Sequence, residues 1–392
     1  MGMGGMAAID PGLCLGERKR TSPESGFAGS GYFLLVRGRG GHHNPAQRNK
    51  HAAAGEPGRP EEAHMKRIMV MMAVGWMSLP VQAGFRAAPM ARSSRAAGMP
   101  FAAELSLGLA NGEAKEHVYD YDGPGGARRQ LSRLDWDIKN VVMGGGSLSV
   151  RPFSGQNPFL ERFTVNGGMW IALTEGSGEM DDYDWLDTGS ADWTHYSLSD
   201  VDVTEGYRLD LNLAFDVWAN PSFAVRAMAG YKQDGWSWED SGDYLLYPEY
   251  GYIPQYLDGE NMINYEQEFR MPYLGATVDW TWEALTVSGY LTWSPIVEAT
   301  DWDEHVARSL HFKETFEEGD LLGVGIEVRY DLDQMGFSGW FLTAGLDYQK
   351  IDHILGDMEV RNVETGERGG ERDVAGIENE VMVISLGGGV RF

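Results

Sequence analysis

From about Leu105 to the C-terminus, apolar residues alternate with polar or small ones, the two-residue period of strands whose faces meet different surroundings. The clearest run is Tyr207-Arg208-Leu209-Asp210-Leu211-Asn212-Leu213-Ala214-Phe215-Asp216-Val217, with Tyr, Leu, Leu, Leu, Phe and Val on one side. Residues 285–293, 322–330, 340–348 and 381–392 repeat the pattern, and no helical periodicity of comparable strength follows Leu105. Several runs exceed the five or six residues usual in globular sheets. Short connections at 152–157, 219–222, 283–284 and 333–338 alternate with long acidic ones at 120–129, 180–203, 241–262, 302–318 and 355–375. The layout is ten antiparallel strands joined alternately by short turns and long loops.

Such alternation suits a soluble sandwich as well as a membrane barrel, so other features decide. Residues 65–83, MKRIMVMMAVGWMSLPVQA, carry Lys66 and Arg67, an apolar run from Ile68 to Leu79 and a small-residue end, as a cleavable secretory leader does. The apolar run is shorter than the roughly 20 residues of a membrane helix. Trp and Tyr sit at strand ends suited to interfacial girdles, and the last strand runs to the terminal Phe392. The expectation is an all-β fold, a ten-stranded antiparallel transmembrane β-barrel with long extracellular loops and short periplasmic turns. Residues 1–64, rich in Gly, Arg, His and Ala without periodicity, are read as a non-native or disordered extension. Residues 84–104 are read as a short segment before a barrel domain at 105–392.

Composition sharpens this picture. The 392 residues are 43% hydrophobic with net charge −26, which excludes disorder and permits one large domain. Removing 1–83, with ten Lys or Arg against six Asp or Glu, takes the charge to −30. So acidic a chain repels nucleic acid and favours cationic partners. The single cysteine, Cys14, precedes the leader, so the mature chain has no disulfide.

Two acidic clusters carry candidate chemistry. Asp303 and His305 stand two apart and share a strand face, which suits a carboxylate-oriented general base. Asp182 and Asp184 form a second same-face pair, 121 positions earlier than Asp303, crowded enough to raise one pKa and share a proton. The pairs sit atop the third and seventh of ten strands, nearly opposite across one rim. They are read as the halves of a site that hydrolyses peptides with activated water and needs no covalent intermediate. As isolated motifs, an Asp-x-Asp is usually a solvated turn and an Asp-x-His is usually structural or idle. A divalent-cation site from the same four residues is the alternative, although hard ions gather more oxygens and transition metals more imidazoles. Ser197 lacks the elbow and base of a serine nucleophile and is read as a loop hydroxyl. Glu116 on the first strand and Asp301 on the seventh are candidates to receive an Arg or Lys side chain low in the cleft.

The stretches LSLG…AKEHVY at 105–119, SRLDW at 132–136, DYDWLD at 182–187, DWT at 192–194, AGY at 229–231, FRMPYLG at 269–275, VEATDWDEH at 297–305 and AGIENE at 375–380 together resemble the omptins. These are ten-stranded outer-membrane aspartyl-type endoproteases of Gram-negative bacteria. The resemblance implies catalytic roles for Asp182, Asp184, Asp303 and His305 and basic-residue recognition by Glu116 and Asp301. It further implies cleavage after Arg or Lys, often at dibasic sites, in cationic peptides or host proteins. No cofactor beyond a catalytic water is implied, apart from dependence on lipopolysaccharide. Three positions depart from the family pattern. His195 stands where an Asp follows Trp-Thr, which leaves the preference after the scissile bond open. Gly235 and Glu268 replace the two arginines that hold lipopolysaccharide phosphates, with Lys232 and Arg270 as weak nearby substitutes. The protein is expected as a monomer in the outer membrane, its site facing outward and its partners being cationic substrates and outer-membrane lipid. The competing reading is an inactive barrel of the same fold that binds cationic proteins as an adhesin. A pore fares poorly because ten strands leave a lumen filled by side chains.

Overall fold

The computed structural model describes residues 100–392 except 122–125, 188–189, 258 and 260. The extension, the leader and residues 84–99 lie outside the described residues. Twelve strands run β1 (Phe101–Tyr121), β2 (Arg128–Val150), β3 (Phe163–Ala172), β4 (Gly176–Asp184), β5 (His195–Ala219), β6 (Phe223–Leu246), β7 (Gln255–Tyr256), β8 (Ile263–Trp282), β9 (Leu285–His305), β10 (Leu310–Asp331), β11 (Trp340–Asn362) and β12 (Arg368–Arg391).

These make ten walls of one antiparallel ring. β3 and β4 pair with successive halves of β2 and β5, so they form a single third wall broken at 173–175. β7 is a two-residue strand paired to the end of β6 and builds no wall. Antiparallel pairing of β1 with β12 closes the ring, so every wall has two neighbours and no sheet edge faces the membrane. The first wall begins at Phe101, four residues before the expected start, where Phe101 pairs with Val150 and stacks on Phe392 at 5.9 Å.

The long connections expected from sequence are themselves largely strand. Between β9 and β10 only Val306–Arg308 and Ser309 intervene, and β5 and β6 run 25 and 24 residues. At about 3.3 Å per residue such walls are roughly 80 Å long, whereas about 9–11 tilted residues cross a bilayer. More than half of these two walls, and about half of the shorter ones, therefore project beyond the membrane.

The alternation resolves into an inside and an outside. Leu209, Leu211, Leu213 and Val217 are exposed, whereas Arg208, Asn212 and Asp216 are buried. An apolar outer band, with Leu105, Leu107, Leu274, Leu322, Leu342, Ile384 and Leu386, fits lipid as its solvent. Trp218, Trp280, Trp282, Trp340 and Phe392 gather toward the short-turn end, where an aromatic girdle belongs.

The lumen is filled in storeys, visible along β1 as Glu104 and Ser106, then Ala110 and Ala114, then Glu116. Low down, Arg226 pairs with Asp279, and Asp331 meets Arg329 at 3.3 Å and Arg391 at 3.0 Å. Higher, Arg208 reaches Asp234 at 3.0 Å, Asp347 at 2.7 Å and the Gln349 amide oxygen at 2.9 Å. Above these lie Trp136, Ile138, Val141, Met143, Met180 and Trp238, with Phe269, Val297, Phe316 and Ile351. This packed apolar storey forms the floor on which the outer acids stand.

Candidate active site

Each expected site residue lies on the inward parity of a wall just above that floor. Along β9 the inward series is Val297, Ala299, Asp301, Asp303, so the chain passes from apolar floor to buried carboxylates within one strand. His305 ends β9, and its Nε2 lies 2.6 Å from Oδ2 of Asp303. Because an ionised carboxylate only accepts, Nε2–H is the donor and Nδ1 is left as the basic atom of the ring. On the third wall Asp182 accepts from Ser132 Oγ at 3.2 Å and Ser197 Oγ at 3.3 Å, while Asp184 beside it is 5% exposed. Ser197 sits within β5 rather than in a loop, and its hydroxyl serves the carboxylate.

The two pairs face each other. Burial raises the pKa of Asp182, while Arg308 and His305, from the β9 end of the ring, hold it down. Asp184 is pushed well above the usual range by burial and then by Asp182. On β1 the Glu116 carboxyl is likewise pushed up, first by burial and then by Asp303, Asp301 and Asp182. One carboxyl thus senses acids from both sides of the lumen, which places all five acids around one cleft. Asp301 receives the Tyr265 hydroxyl at 3.0 Å, and Tyr265 is clamped by Trp136 at 5.0 Å and Trp238 at 5.6 Å. Burial, opposed by the Tyr265 hydrogen bond and aided by Asp303, raises Asp301 to about 8.

Several contributors escaped the sequence reading. Glu314 on β10, fully buried and in register with Asp301, is the main one. Its inward parity between Phe312 and Phe316 was a visible signal. Ser132, Tyr265 and Arg308 carry no local motif. Among the described residues, no three His, Cys, Asp or Glu side chains converge to hold a metal ion.

The departures also find places. His195 pairs in register with Asp184, and its Nε2 lies 3.4 Å from Glu249, so a loop carboxylate stands at that corner. Burial, against the pull of Glu249, lowers the pKa of His195. Gly235 and Glu268 are cross-strand partners on neighbouring walls. A Cβ at Gly235 would stand 2.3 Å from the Tyr207 ring, so Tyr207 fills that space. Glu268 is bound by Arg270 at 2.6 Å. Lys232, considered a lipid contact, instead points into the lumen and bonds Gln349 at 3.1 Å, because its position has inward parity.

The raised carboxyls make stability depend on pH with a definite sign. A carboxyl raised in the folded state binds its proton more tightly there, so its contribution is full below the unfolded value near 4 and is lost as pH passes its folded value. For Asp301 that window ends at about 8. The denaturation midpoint of the substrate-free barrel in detergent is expected to fall as pH rises from about 5 to about 9. Asp301→Asn should flatten that slope; an equal slope in both proteins would place the titration elsewhere.

A ten-walled ring with a lipid-facing belt and an acid-lined cleft beyond the membrane defines an outer-membrane barrel enzyme. The omptin family profile matches residues 99–392, and the chain belongs to the omptin family. The plasminogen activator of Yersinia pestis is 30% identical over 302 residues, covering 74% of this chain and 89% of its own. Protease 7 of Escherichia coli K12 is 28% identical over 299 residues, with 73% and 88% covered. The crystal structure of the outer-membrane protease OmpT from Escherichia coli aligns with a TM-score of 0.67 at 24% identity, over 75% of this chain and 97% of that one. The protein is accordingly an outer-membrane protease of bacteria, with proteins or peptides as substrates.

Proposed function

We propose that the cleft cleaves peptides after Arg or Lys, often at dibasic sites, with a water activated by His305. The observation that carries this reading is the His305–Asp303 pair at 2.6 Å facing an Asp182 held by two hydroxyls. Asp303 fixes the tautomer and stabilises the imidazolium that forms when Nδ1 takes a proton from water. The Asp182–Asp184 pair, sharing one proton, holds the water and hydrogen-bonds the oxyanion of the tetrahedral intermediate. The imidazolium then returns its proton to the leaving amine. Glu116 and Asp301, buried without a cation of their own, draw in the basic side chain of the substrate.

The acidic surface supports cationic peptides as substrates, and the outward aromatic and apolar belt supports contact with outer-membrane lipid. The test is hydrolysis of a quenched fluorescent Arg-Arg peptide by the refolded barrel, with and without lipopolysaccharide. Cleavage after Arg supports the reading, and its lipid dependence measures what the Gly235 and Glu268 positions cost. A folded barrel that cleaves under neither condition would favour the adhesin-like binding surface.

A further inference from the structure

The cleft holds one more buried acid than the residues assigned above account for. Glu314 is fully buried, in register with Asp301, and neither of its carboxylate oxygens receives a hydrogen bond from a donor group. Oδ1 of Asp301 and Oε2 of Glu116 are in the same condition. Four buried carboxylate oxygens on three walls thus lack donors. Among the described residues no ion pair includes any of the three side chains. After burial, the groups that push the Glu314 carboxyl up are Asp301, Glu116 and Asp303, all acids, and its one side-chain contact of hydrogen-bond kind is with the Asp301 carboxyl, an acid that a cation would separate from it. Buried carboxylates without donors are costly. A structure that keeps three together is poised for a cation supplied from outside.

We propose that Glu314 is a specificity-determining residue, the third carboxylate of a pocket that selects arginine over lysine before the scissile bond. The proposal rests on the reading that this cleft cleaves after a basic residue, and it goes beyond that reading by assigning the choice between the two bases. A guanidinium carries five N–H donors in a flat fork, and an ammonium carries three on a compact head. Glu116 and Asp301 offer one free oxygen each, which an ammonium can fill. The two oxygens of Glu314 add a face that suits the fork of a guanidinium. Glu314 touches the side chain of the substrate and not the reacting bond, so its removal acts on binding.

The test uses two peptides that differ only in Arg or Lys before the bond, with wild-type barrel, Glu314→Gln and Glu314→Asp. Gln keeps the volume and removes the charge. For the Arg peptide, Glu314→Gln is expected to raise KM about 10- to 100-fold with kcat changed less than about threefold. The Lys peptide should change much less, so the Arg preference collapses, and Glu314→Asp should restore part of it. Circular dichroism checks that each variant is folded. Equal losses on both peptides, or a loss confined to kcat, would overturn the proposal. Anisotropy with a labelled Arg peptide whose scissile amide is reduced separates the two readings. If the wild type binds this probe without cleaving the parent peptide, the cleavage reading fails, and a loss of binding in Glu314→Gln still supports the pocket. If Glu314→Gln binds the Arg and Lys probes as the wild type does, the pocket assignment fails alone.

Discussion

His305→Ala is expected to lower kcat on an Arg-Arg peptide by about 10³- to 10⁴-fold while the barrel stays folded. A positioned general base contributes about 10²–10⁴, and in the proposed mechanism the base also returns the proton to the leaving amine, which places the loss at the upper end. Converted through the rate law, that is about 4–5.5 kcal/mol of barrier. The fold loses little, because His305 ends β9 and packs mainly against Asp303 and the edge of Phe312. Asp303→Asn should fall nearly as far. An amide at that position can donate to Nε2 and favour the wrong tautomer, and it no longer stabilises the imidazolium. The readout is kcat at saturating peptide with circular dichroism of each variant. Retention of kcat within about tenfold by His305→Ala would remove the imidazole from the mechanism.

The second large effect divides the two acids across the cleft. Asp182→Asn is expected to cost about 10³ in kcat, Asp184→Asn no more than about tenfold. Burial raises the Asp182 pKa, but two hydroxyl donors together with Arg308 and His305 oppose that rise. Asp184 has an oxygen without a donor and is pushed well above the carboxylate range by burial and by Asp182. In the proposed mechanism the shared proton is therefore assigned to Asp184, the more strongly raised of the two. An asparagine mimics that protonated acid, with an N–H in place of the O–H, whereas Asp182→Asn removes the carboxylate that the proposed mechanism gives the task of holding the water. Kinetics of both variants over a range of pH decides the matter. A larger loss from Asp184→Asn than from Asp182→Asn would reverse the assignment.

The inward and outward faces of Tyr207 to Val217 were legible because a strand alternates its side chains whatever surrounds it. The same alternation put Asp303 with His305 and Asp182 with Asp184, and the structure places each pair on one wall. The connections were legible as long but not as ordered. Acidic stretches such as 302–318 look like loops, yet cross-strand bonds to a neighbour such as β11 extend them as walls. Lys232 was misplaced because a basic residue near a lipid-facing stretch has no sequence mark for which side it faces beyond its parity. Glu314 was missed because an acid among aromatics gains meaning only from its register with Asp301.

The sequence alone therefore determined the two-faced strands, their number, the apolar belt and the identities of the acids, since these follow from local backbone geometry and transfer between water and lipid. Only the tertiary structure decided which acids meet. Closure of β1 on β12 sets walls three and seven across one lumen, and that brings residues more than a hundred positions apart to one cleft, where His305 acts on the Asp182 carboxyl. The same closure shuts solvent away from Asp184, Glu116, Asp301 and Glu314, and exclusion of water is what lifts the pKa of each of these carboxyls above the ordinary range.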